Sequence, residues 1–244
     1  MDKDPSAIRA LGWGRFLLQA ATVGLVYLVA SAPPVLLLGM DNGLMPSVVA
    51  SMAAALAVAW FWLKRDGALG AAWQMRSSHS AGRQAALAAF GIFGVFFIFS
   101  VGGFVLDALG LPQADVSMVM ERVVESPTSL VLWIVVVSCF TAGLGEELLF
   151  RGFLMDRLAR LPGLQGSVAG PVVLQGAIFG LWHLYQGPGG YIVTATVGVF
   201  LGWLRIANRG GLWPLVIAHA AVNSISMLLA FASHSGWIAV PQTG

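Results

Sequence analysis

A chain of 244 residues in which 58% are hydrophobic and only 10% charged cannot cover a water-facing surface with ionised side chains. That excludes a soluble globule and turns most of the surface toward lipid. A net charge of +2, with the basic residues scattered between apolar runs, carries no nucleic-acid footprint, and the single cysteine, Cys139, excludes an intrachain disulfide framework.

A membrane span needs about 20 predominantly apolar residues, because the hydrocarbon core is roughly 30 Å thick and a helix rises about 1.5 Å per residue. Seven segments are candidates in chain order, the sixth of them short: 16–38, 46–63, 84–106, 129–149, 168–186, 190–204 and 212–231. The predicted fold is therefore all-α, a polytopic membrane helix bundle of about seven transmembrane helices. Basic residues gather in alternate connections: Lys3, Arg9 and Arg15 before the first span, Lys64, Arg65, Arg76 and Arg83 after the second. Arg157 and Arg160 follow the fourth, and Arg205 and Arg209 the sixth. The opposite connections hold one basic residue, Arg122, among several acids. Because Lys and Arg in short loops favour the cytoplasmic side, the N-terminus is predicted inside and the C-terminus outside. The tryptophans at 13, 60, 62, 73, 203, 213 and 237 mostly flank spans and read as interfacial anchors.

Ionisable groups within spans are costly and face a bundle interior or a water-filled cavity, so each is a functional candidate. Three places qualify. At the end of the fourth span, Glu146 and Glu147 precede Arg151. Side chains four apart share a helix face, so Glu147 is expected to pair with Arg151, while Glu146 stays in apolar surroundings that suit a general base. Glu147 and Arg151 are expected to support the site. In the fifth span, His183 follows Phe179 by four residues. A turn around Leu161–Ser167 would put Glu146 and His183 at similar depth, each about 18 residues from its centre, so that the two side chains can meet. This requires a break at Gly143 or Gly145, or an extension of the helix past Arg151, because 129–161 is too long for one straight span. In the seventh span, His219 and Asn223 share a face and can donate hydrogen bonds to an oxygen gaining negative charge.

These places resemble, in order, the three motifs of the CAAX protease and bacteriocin-processing (CPBP, or Abi) family of intramembrane endopeptidases: E-E-x-x-x-R, F-x-x-x-H and H-x-x-x-N. The resemblance covers about residues 128–231. It implies that Glu146 and His183 activate a water for attack on a scissile carbonyl, and that His219 and Asn223 form the oxyanion hole. It implies no obligatory metal. The residue types leave zinc open, since Glu146, His183 and His219 could supply three ligands with a fourth position for water.

The chain is accordingly divided into an N-terminal membrane region (1–127, three spans), a catalytic helix core (128–231) and a short tail (232–244). The expected activity is hydrolysis of a peptide bond in a membrane-anchored substrate, of which a prenylated CAAX-type protein is one form, in a bacterial-type plasma membrane. The expected partners are lipid and that substrate, without nucleic acid. Two other classes use the same residues. A proton-coupled transporter would show internal pseudo-symmetry, which the sequence lacks. A non-catalytic scaffold or immunity-type membrane protein would have no need of complete motifs.

Overall fold

The computed structural model describes residues 10–238, and among these all regular structure is helical. Lys3, Arg9 and the tail from 239 onward, which carry part of the orientation argument, lie outside the described residues. The helices are α1 (Trp13–Arg65), the short α2 (Leu69–Ala72), α3 (Ala81–Ala108), α4 (Ser117–Val123), α5 (Pro127–Ala159), α6 (Ala169–Trp182), α7 (Gly187–Ala207) and α8 (Trp213–His234).

Helix α1 is a hairpin. Gly39 alone leaves helical geometry, at φ 77° and ψ 170°, a conformation open to glycine and costly for other residues. Pro33, Pro34 and Pro46 flank the reversal, and each removes a backbone donor from the helical ladder there. The arms run antiparallel. The Ser47 hydroxyl donates to the Ser31 carbonyl at 2.7 Å, the Trp62 indole donates to Thr22 Oγ1 at 3.0 Å, and Arg15 pairs with Asp66. The arms contain the predicted spans 16–38 and 46–63, but the expected connection 39–45 contracts to the glycine, with helix resuming at once.

Five described helices are long and apolar enough to cross a membrane, α1 counting as one, where seven spans were expected. The difference has two sources. The first two spans lie in the single run of α1, and the fifth, expected over 168–186, is helical only for the 14 residues of α6. The chain closes α6 with a tight turn over Leu184–Gln186, and Gly187, at φ 80°, redirects it into α7. Helices α6 and α7 then meet backbone to backbone: a Cβ on Gly198 would lie 2.7 Å from the Gly176 Cα. Such small-residue contacts let helices associate where lipid supplies no hydrophobic drive.

Helix α5 occupies the centre of the second half. No break occurs at Gly143 or Gly145; the helix runs on past Arg151 to Ala159. Instead of breaking, it widens. From Trp133 to Leu154 the backbone bonds reach five residues along the chain rather than four, a winding found mainly as single turns at functional sites. The two glycines serve close approach. A Cβ on Gly143 would meet Ala220 of α8 at 2.7 Å, and one on Gly145 would meet Met52 of α1 at 2.6 Å. Helix α5 is thereby pressed between the second arm of α1 and α8, with α6 packed near its C-terminal end.

Candidate active site

The glutamate helix α5, α6 and α8 bring the three motifs together. Glu147 and Arg151 are both fully buried, and an Arg151 Nη atom donates to Glu147 Oε1 at 2.9 Å, the i, i+4 pair expected. His219 Nδ1 contacts that same oxygen at 2.8 Å. Taken as the carboxylate partner of Arg151, Glu147 accepts this bond, and Nδ1 donates. The other imidazole nitrogen, Nε2, then faces Glu146 Oε2 at 3.8 Å. That separation is too long for a hydrogen bond. Glu146 retains slight exposure, with 15% of its side-chain surface accessible.

His183 is oriented in the same sense. Its Nδ1 donates to the Phe179 carbonyl at 2.8 Å, which leaves Nε2 free. The Phe179 ring is the hub of the cluster. His183 packs on it at 4.6 Å between ring centres, His219 approaches edge-on at 6.2 Å, and the Arg151 guanidinium lies 4.3 Å over its face. A buried cation over an aromatic face gains from the ring quadrupole. The motif phenylalanine thus connects all three helices, whereas no ion-pair contact joins Glu146 to His183 among the described residues. The expected meeting of those two side chains is replaced by the approach of Glu146 to His219. Equal depth on neighbouring helices does not by itself fix the direction in which a side chain leaves its helix axis.

Asn223 lies one turn beyond His219 on α8 and is partly buried, without a hydrogen bond to the other site residues. The rotation of α8 that presents both residues is set from α5. The Ser138 hydroxyl donates to the Ala220 carbonyl at 2.8 Å and shares a hydrogen bond of 2.9 Å with Ser224.

Several site atoms have no protein partner. Glu146 Oε2, Glu147 Oε2, Arg151 Nε and one Arg151 Nη are buried and unbonded, although buried polar atoms ordinarily find partners. Among the described residues no three His, Cys, Asp or Glu side chains converge as a metal set. Glu146, His183 and His219, the residue types that could supply zinc ligands, do not form such a group in this geometry.

Two contributions were not marked in the sequence. Glu147 orients His219 across 72 positions of chain, a contact that local spacing cannot reveal. Tyr27, in the first arm of α1, packs edge-on against Trp182 beside the site, with ring centres 4.5 Å apart. Nothing around Tyr27 in the sequence distinguishes it from a packing residue.

Residues 128–225, which span α5 to the middle of α8, match the family model described as Type II CAAX prenyl endopeptidase Rce1-like. No curated protein and no solved structure matches the chain. The match covers the three motif helices and supports their likeness to the CAAX-type membrane proteases of the CPBP family.

Proposed function

We propose that this protein is an intramembrane endopeptidase that hydrolyses a peptide bond in a membrane-anchored, CAAX-type substrate. The observation that carries the proposal is the placement of Glu146. It is a slightly accessible carboxylate with an unbonded oxygen, 3.8 Å from a histidine already oriented by a buried ion pair. Glu146 and His183 would activate a water, each through an acceptor left free: the Glu146 carboxylate oxygen and His183 Nε2. The activated water attacks the scissile carbonyl, and Glu146 takes its proton. The carbonyl oxygen, becoming negative, is received by His219 Nε2 and the Asn223 amide. Because Nδ1 of His219 already holds a proton, Nε2 donates in the cationic form of the ring. Collapse of the tetrahedral adduct passes the proton from Glu146 to the leaving amine. No metal is assigned to this sequence of steps.

In this reading the chain crosses a bacterial-type plasma membrane seven times, with α1 counted as two crossings, the N-terminus inside and the C-terminus outside. The segment 128–231 carries the chemistry, and 1–127 forms a membrane region of three crossings that walls it. Purified protein in lipid is expected to cleave a prenylated peptide ending in a CAAX sequence. Glu146→Gln is expected to bind that peptide without cleaving it, with turnover reduced about 10²- to 10⁴-fold. Undiminished cleavage by Glu146→Gln would remove the proposed base. Labelling of introduced cysteines at the two chain ends from either side of sealed vesicles tests the orientation, and finding both ends on one side would refute seven crossings.

A further inference from the structure

The widened segment of α5 is held from outside by two side chains that the motifs do not include. The Trp73 indole N–H, just beyond α2, donates to the Leu148 carbonyl at 2.9 Å. Arg205, near the end of α7, donates to the Arg151 carbonyl and also to the Ala72 carbonyl, the latter at 3.0 Å. Its guanidinium is buried and among the described residues has no carboxylate within ion-pairing distance. Trp73 was expected to be an interfacial anchor, but its ring lies against α5: a Cβ on Gly152 would come within 2.7 Å of it. The two carbonyls that receive these external donors belong to Leu148 and Arg151, and so bracket the turn between Glu147 and Arg151.

A side chain that enters a helix's hydrogen-bond ladder draws the carbonyl outward and loosens the local winding. Wider winding lowers the rotation per residue below the ~100° of an α-helix. The direction in which Glu146 and Glu147 leave the axis therefore depends on how the winding is held there. We propose that Trp73 and Arg205 are positioning residues for the proposed reaction. By bonding the carbonyls of Leu148 and Arg151 they fix the winding of α5, and with it the hydrogen bond from His219 to Glu147 and the approach of Glu146 to His219. This rests on the peptidase reading for its consequence in turnover, but not for its consequence in structure.

Two variants test it. Trp73→Phe keeps an aromatic ring and deletes the donor. Arg205→Lys keeps the charge, while its single ammonium cannot span the carbonyls that the guanidinium joins. In ¹⁵N-histidine-labelled protein in lipid, the His219 Nδ1–H resonance is identified by its loss in His219→Gln. In either variant that proton is expected to exchange with solvent at least tenfold faster than in the parent protein, at a thermal midpoint within a few degrees of the parent. Turnover of the peptide substrate is expected to fall about tenfold with KM changed less than twofold. An unchanged His219 exchange rate in a folded variant overturns the proposal, as does failure of both variants to fold, since the two side chains would then hold the fold rather than the site. If the parent protein cleaves no peptide, the peptidase reading fails while the exchange measurement still decides the positioning role.

Discussion

Two arginines lie six positions apart on α5, both fully buried, and are used in opposite ways. Arg157 has every guanidinium nitrogen engaged: Nε and one Nη with Asp156, the other Nη with Asp66 at the end of α1. Asp66 in turn receives Arg15 and Gln19, and Asp156 also receives Arg160. This clasp ties both ends of the α1 hairpin to the end of α5. Arg151 has one nitrogen bonded and two without partners, beside two glutamates that each have a free oxygen. Burying a charge is tolerable when its hydrogen bonds are complete and expensive when they are not. The clasp has spent its bonding capacity on the fold. The cluster at Arg151 makes fewer hydrogen bonds to protein atoms, although its charges are as deeply buried.

The sharpest division between the two clusters is expected from Arg151→Ala. It strands the Glu147 carboxylate in the interior and should cost roughly 3–5 kcal/mol. Replacing both members, as Glu147→Leu with Arg151→Met, should recover most of that stability in thermal melts without restoring turnover. Recovered turnover in the double variant would show that Glu147 does not orient His219. A somewhat smaller effect is expected from Asn223→Ala, with turnover lowered on the order of 10²- to 10³-fold, substrate affinity little changed and stability intact. Full activity in that variant would remove Asn223 from the site. The smallest effect is expected from Asp66→Asn in the clasp. Loss of its charge-assisted hydrogen bonds should lower stability by about 1–3 kcal/mol, while turnover per folded molecule stays as in the parent. If Asp66→Asn instead lowers turnover as far as Asn223→Ala does, the clasp and the site are one functional unit and the distinction between the two arginines collapses.

What could be read from the sequence follows from the range of the interactions. The pairing of Glu147 with Arg151 and the packing of His183 against Phe179 are local i, i+4 contacts, and both are present. The apolar runs placed the long helices because hydropathy over 20 residues is a local quantity. The reversal at Gly39 falls in the connection expected over 39–45, but its tightness depends on contacts between arms. A Cβ on Gly43, for instance, would stand 2.5 Å from the Pro34 carbonyl oxygen. The bond from His219 to Glu147, the docking of Trp73 and the bonds from Arg205 join residues far apart in the chain, and no spacing rule reports them. The widened winding of α5 was equally hidden, since it is held partly by those distant donors.

The brevity of α6 bears on how hydrolysis could proceed within a bilayer at all. Fourteen residues rise about 21 Å, some 9 Å less than the hydrocarbon thickness. Such hydrophobic mismatch is relieved by local thinning of the membrane around the short element. The end of α6 is where His183 stands, followed by the partly polar turn Leu184–Gln186. The thinned patch would therefore open beside the histidine proposed to activate water. The shortfall in helix length would become the route by which the second reactant, solvent, reaches a carboxylate set among apolar helices.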